Sequence, residues 1–211
     1  VLTTRDGPVL TVAFSRPDAA NALTFPMYEA VAGACAVADA DDTVRCLVLR
    51  GAGSSPFAAG TDIGEFAGFA SPDDGAAYEE RVTRVIGRLA RLGVPTIALV
   101  RGHAVGGGLM LAAACDIRIC AEGARFGVPI ARTLGNCLSQ DGYDLLAERL
   151  GSPVLLRMLL TGELCDATAL LASGFVTDVV AGDQVENRVT ELAARMSALA
   201  PLTLRAAKLA D

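Results

Sequence analysis

The residues best placed to do chemistry lie in two glycine-rich stretches. One is RGAGSSPFAAGTD, Arg50 to Asp62; the other is RGHAVGGGLM, Arg101 to Met110. The turn Gly106-Gly107-Gly108 holds no acid, base or nucleophile, so chemistry at that point must come from the backbone. Both stretches are expected to run from a strand end into a short helix, at Asp62 and at Gly107. Helix starts leave N–H groups without intrahelical acceptors and carry a partial positive charge. Two such N–H groups aimed at one point make an oxyanion hole, and glycine lets a ligand approach because it has no Cβ. The same glycines would also permit tight packing of helix on strand, and spacing alone leaves both readings open. Other glycine-loop chemistries fail. A dinucleotide fingerprint starting at Gly51 would need its third glycine at Pro56. No Gly-Lys-Ser/Thr and no Gly-x-Ser-x-Gly occurs.

The elements that must carry these stretches follow from hydrophobic periodicity. Pro8 to Phe14 reads as a strand. Thr24 is the expected N-cap of a helix that has Pro26 in its first turn and runs to Ala40. Val44 to Gly51 is nearly all apolar, as in a strand buried on both faces. Ser71-Pro72 followed by acids starts a helix, with Tyr78, Val82, Val85, Ile86, Leu89 and Leu92 as its stripe and Gly93 as its stop. TIALVRG and DIRICA are strands on either side of the triple glycine and its short helix. SPVLLRMLLTG and DATALLASG are helices, FVTDVV is a strand, and two amphipathic stretches, Asp183 to Leu199 and Pro201 to Ala210, close the chain. Strands alternate with helices, so the class is α/β.

Composition narrows the function. The chain has 211 residues, 52% of them hydrophobic, and a net charge of -6 without any basic run. Nucleic acid, which needs clustered Lys and Arg, is disfavoured as a partner. No apolar stretch reaches the ~20 residues of a membrane helix, and no signal peptide is expected. Six cysteines without a CxxC pair, and a single histidine, His103, give no zinc pattern, so no metal is expected. The cysteines read as reduced core residues of a cytoplasmic protein.

Five ordered blocks carry a resemblance to a known family. They are RPDAANAL (Arg16 to Leu23), VRCLVLRGAGSSPFAAGTDI (Val44 to Ile63), VPTIALVRGHAVGGGLMLAAACDIRIC (Val94 to Cys120), ARFGVP (Ala124 to Pro129) and LLTGELCDATALLASGFVTDVV (Leu159 to Val180). Over nearly its whole length the chain resembles the crotonase (enoyl-CoA hydratase/isomerase) superfamily. That resemblance implies an α/β superhelix of ββα units with C-terminal helices, of which the last are expected to be missing. It implies a core with an acyl-CoA site over residues 1–180, and the start of a helical trimerisation region over 181–211. The implied partner is an acyl-coenzyme A thioester, and the implied assembly a homotrimer or a dimer of trimers. No permanently bound cofactor is implied; coenzyme A enters as part of the substrate.

The resemblance also implies site residues. The backbone N–H groups of Thr61 and Gly107 would hold the thioester oxygen and stabilise its enolate. Coenzyme A and the acyl chain would be held around Ala22, Leu23, Ala59, Asp62, Ile63, Gly106, Met110 and Ile130. Many members carry a basic residue just before the Asn of the first block; here Ala19 and Ala20 precede Asn21, and Arg16 is the available substitute.

The pattern breaks where hydratases place their two glutamates, because those positions are Met110 and Ile130. A general base and a general acid each contribute typically 10²–10⁴-fold, so ordinary hydration should be lost or very slow. Isomerisation, C–C cleavage, decarboxylation or atypical hydration is the expected chemistry, with a non-catalytic acyl-CoA binder as the alternative. Some relatives draw a carboxylate from the loop after Pro129, where Asp141, Asn136, Cys137 and Arg132 are the candidates. Asp141 could instead cap the helix YDLLAERL, Arg132 could bind a carboxylate-bearing acyl group or form a structural ion pair, and Cys137 could be a nucleophile only with a base beside it. His103 reads as structural or as a base, Asp62 and Asp116 as structural acids, and Glu65 as facing either the acyl pocket or solvent.

Overall fold

The structure is a computed structural model that describes residues 1–133, 135 and 137–210. Strands β1 (Leu2–Asp6) and β2 (Val9–Phe14) form a hairpin, and α1 (Phe25–Ala40) leads to β3 (Cys46–Gly51). Helix α2 (Pro72–Ala90) leads to β4 (Thr96–Val100) and the short β5 (His103–Val105). Then come α3 (Gly107–Ala114), β6 (Ile117–Ala121), β7 (Arg125–Gly127), α4 (Gln140–Leu150) and α5 (Ser152–Thr161). The chain ends with β8 (Cys165–Asp166), α6 (Ala167–Leu171), β9 (Asp178–Val180), α7 (Val185–Ser197) and α8 (Pro201–Leu209). The fold is α/β, with strand-then-helix units repeated along the chain and helices at its C-terminal end.

Six strands make one sheet in the order β1-β2-β3-β4-β6-β9, and β5-β7-β8 make a second, small one. Only β1 pairs antiparallel in the large sheet; β2, β3, β4, β6 and β9 run parallel. The near-continuous apolar runs have a physical cause in the two layers. Leu47, Leu49, Ala98 and Val100 face the main core with α1, α2 and α3. Cys46, Val48, Ile97 and Leu99 face the other way, onto Val185, Val189, Ala193 and Met196 of α7. Both faces of these strands are dry, so period-two alternation of polarity is absent.

Several expected boundaries shift. The helix opened by Ser71-Pro72 has its capping box, in which the Asp74 carboxylate accepts from Ser71 N at 2.8 Å. It stops at Ala90, so Leu92 is buried beyond the helix rather than within it. In FVTDVV only Asp178–Val180 pairs as strand, although Phe175 and Val176 are buried. Among the described residues no helix is long and apolar enough to cross a membrane.

Candidate active site

Two short backbone bridges bring the glycine stretches together. Ala58 pairs in parallel with Ala104: Ala58 N donates to His103 O and Val105 N to Ala58 O, both at 3.0 Å. Gly106 N then donates to Gly127 O at 2.9 Å, and Gly106 turns the chain into α3 with φ +52°, a left-handed value that favours glycine. Leu23 pairs in parallel with Thr61: Leu23 N donates to Gly60 O at 2.7 Å and Asp62 N to Leu23 O at 2.8 Å. In such a bridge the bonds are made by Thr61's neighbours, so the N–H of Thr61 points away from Leu23. Gly107 opens α3, where an N–H has no intrahelical acceptor. Among the described residues neither the Thr61 nor the Gly107 N–H has a protein acceptor.

Of the two glycine readings left open by spacing, tight packing is seen at both Gly107 and Gly108. A Cβ on Gly108 would lie 2.5 Å from the Ala58 carbonyl oxygen, so this glycine serves helix–strand packing. A Cβ on Gly107 would lie 2.1 Å from Tyr28 Oη and 3.0 Å from Thr61 Oγ1. Gly107 therefore abuts a hydroxyl cluster: Thr61 Oγ1 is 2.9 Å from both Tyr28 Oη and Tyr78 Oη. Burial pushes the Tyr28 hydroxyl far up from its ordinary range, and that of Tyr78 up as well, so both stay protonated. The Tyr78 ring is fixed by Phe66 and Phe25, with centroids at 4.9 and 5.8 Å.

These groups open onto a cavity of about 680 Å³. Thr61, Gly106, Gly107, Met110 and Ile130 line it, as do Ala59, Ile63 and Asp141. Ala22, Leu23 and Asp62 are not among its lining residues. Leu23 is fully buried with its N–H and C=O already paired. The Asp62 carboxylate accepts from Gly64 N at 2.9 Å and pairs with Arg16 at 2.8 Å; these contacts hold it below the usual carboxylate range. Arg16 also donates to Ala22 O at 2.6 Å, so its charge is spent on local structure.

The remaining candidates separate clearly. Asp141 is not a cap, because Ser139 is the N-cap of α4 and its Oγ accepts from Gly142 N at 3.2 Å; Asp141 follows in the first turn, exposed on the cavity wall. Cys137 also lines the cavity, while His103 lies exposed on β5 and does not, so the thiol gains no base from it. Arg132 donates to Gly162 O at 3.4 Å and is likewise off the cavity wall. Asn136 lies outside the described residues. Glu65 faces neither pocket nor solvent alone: its Oε2 accepts from Phe25 N at 2.9 Å and so satisfies the start of α1. Asp116 is structural, accepting from Thr96 N, Thr96 Oγ1 and Lys208 Nζ. Among the described residues no group of three or more His, Cys, Asp or Glu is arranged to hold a metal ion.

Sequence reasoning missed Glu79. It lines the cavity from α2, half-buried, and burial raises its carboxyl above the usual range while hydrogen bonding by Ser139 opposes the rise. Its spacing held the signal, since Glu79, Val82 and Ile86 fall at i, i+3 and i+7 on the apolar stripe.

A model of the family described as "Enoyl-CoA hydratase/isomerase" matches residues 4–210. The chain belongs to the enoyl-CoA hydratase/isomerase family. A "probable enoyl-CoA hydratase" of Mycobacterium tuberculosis is 33% identical to this family member over 210 residues, covering 100% of this chain and 79% of the relative. The 2,3-dehydroadipyl-CoA hydratase of Escherichia coli K12 is 32% identical over 208 residues, covering 99% and 80%. A crystal structure of an enoyl-CoA hydratase/carnithine racemase from Magnetospirillum magneticum superposes with a TM-score of 0.93 at 35% identity, over 98% of this chain and 78% of that one.

Proposed function

We propose that this member of the family binds an acyl-CoA thioester in the cavity and stabilises its enolate between the N–H groups of Thr61 and Gly107. The observation that carries the reading is the meeting of the two bridged glycine stretches, with two N–H groups that lack acceptors among the described residues, at the wall of one cavity. Donors fixed by backbone bridges need no reorganisation as charge develops on a thioester oxygen. The relatives named as CoA-thioester hydratases support the choice of ligand. Met110 and Ile130 line this cavity and carry no proton to transfer. The reading is therefore an enzyme of enolate chemistry, such as double-bond isomerisation or C–C cleavage, rather than a standard hydratase. Assembly as a trimer or a pair of trimers, with residues 181–211 contributing contacts, belongs to the same reading. The exposed Leu202 and Leu209 of α8 support that part.

Crotonyl-CoA tests the proposal. Titration should show saturable binding, and hydration followed by loss of the enoyl absorbance should be absent or at least 10²-fold below an ordinary hydratase. Turnover at an ordinary hydratase rate would overturn the assignment of the chemistry. Absence of CoA-thioester binding would overturn the site.

A further inference from the structure

We infer that Glu79 of α2 is the catalytic proton-transfer residue of this cavity, supplying from the facing helix the carboxylate that position 110 does not carry. The inference rests on reading the cavity as an acyl-CoA site. Its geometry is independent of that reading. Tyr78, Glu79, Val82, Thr83 and Ile86 of α2 line the same cavity as Gly107 and Met110 of α3. Ser139, the N-cap of α4, lines the same cavity, and its Oγ accepts from Gly142 N at 3.2 Å. The position that a Gly142 Cβ would take is 3.1 Å from that Oγ and 3.2 Å from the Met110 methyl carbon. The Ser139 hydroxyl thus lies near the Met110 tip. The Glu79 charge also reaches the buried Tyr28 hydroxyl, which abuts Gly107.

The ordinary role of an acid on an exposed helix face does not describe this residue. Its neighbour Glu80 fills that role, exposed and paired with Arg84 at 2.7 Å. Glu79 is half-buried instead, and burial favours its neutral form, which tunes a carboxyl toward service as base and acid near neutral pH.

The step balances within the site. The α-C–H bond of the thioester breaks and its proton passes to a Glu79 carboxylate oxygen. The bonding pair forms the C=C bond of the enolate, and the carbonyl π pair moves onto the oxygen held by Thr61 and Gly107. Return of a proton from the carboxyl to the α-carbon restores the thioester. Return to the γ-carbon of an unsaturated chain shifts its double bond.

Exchange of the α-hydrogens of butyryl-CoA in D2O, read by mass spectrometry, tests this with affinity measured in parallel by calorimetry. The wild-type chain is expected to bind and to exchange. E79Q is expected to bind within about threefold while exchange falls by about 10²–10⁴-fold, E79D to restore part of it, and E80Q to match wild type. Binding without exchange by the wild type overturns the role of Glu79 and leaves the thioester site standing. Unchanged exchange in E79Q, or loss in D141N instead, also overturns it. Failure to bind butyryl-CoA removes the site and the inference together.

Discussion

Replacing Gly107 by Ala tests the close approach between α3 and the hydroxyl cluster. The new Cβ would stand 2.1 Å from Tyr28 Oη, and the Tyr28 ring is 0% exposed in the main core. More than 1 Å of displacement is needed for ordinary contact, and close-packed interiors yield little. Overpacking of this kind costs about 1–3 kcal/mol, and disrupting the 2.9 Å Tyr28–Thr61 hydrogen bond adds about 0.5–1.5 kcal/mol. Gly→Ala gains at most about 1 kcal/mol from reduced chain entropy, so the steric term wins. Tyr28→Phe removes the clashing atom. The nearest ring carbon, Cζ, is then 3.4 Å from the Cβ, while Thr61 keeps its bond to Tyr78. That single change should cost about 1 kcal/mol. Urea unfolding of both single variants and the double variant should therefore give a favourable coupling of about 1–3 kcal/mol. Costs that add to within about 0.5 kcal/mol would refute the geometry, because independent sites behave that way.

The folded-state rise of the Glu79 carboxyl has a sign that stability can report. A raised carboxyl lowers stability as pH climbs from the ordinary glutamate range through its folded pKa, so Glu79→Gln should stabilise the chain at pH 7–8, and the gain should vanish below about pH 4 in thermal melts. A gain that persists at low pH would contradict desolvation as the cause. Alkylation should single out one thiol, since Cys137 is exposed on the cavity wall while burial pushes Cys46, Cys115 and Cys120 up to about 12. Iodoacetamide at pH 8 should add one label rapidly, mapped to Cys137 by mass spectrometry, and more only in denaturant; rapid native labelling at the other three would contradict their burial.

Much of this architecture was legible because it has a local cause. The apolar run from Val44 to Gly51 announced a strand with two dry faces, seen at Cys46–Gly51, and Ser71-Pro72 announced the start of α2. The glycine turn marked the start of the short helix α3 at Gly107. What escaped has a non-local cause. Glu65 satisfies the start of α1 from 40 residues away, and nothing near Glu65 reveals that partner. Asp141 looked like a cap, yet α4 already begins at Gln140, so Ser139 takes the cap and Asp141 falls within the first turn. The strands β5, β7 and β8 are two or three residues long, too short for any periodicity, and exist only through one another. Glu79 was hidden by sitting beside Glu80, a solvated acid of the same type.

Glu186, in the first turn of α7, pairs with both Arg50 and Arg101. These arginines lie at the ends of β3 and β4, where the two glycine stretches begin. The same helix covers Cys46, Val48, Ile97 and Leu99. This arrangement bears on the order of events during synthesis. The parallel strands lie side by side in the large sheet in the order in which they leave the ribosome. One greasy face of that sheet waits without cover until residue 196 has emerged. During that interval the nascent chain presents the surface that chaperones bind and aggregates exploit. The late helix then shields this face and ties both strand ends with one carboxylate, so the site's framework is completed by residues far downstream of those that line it.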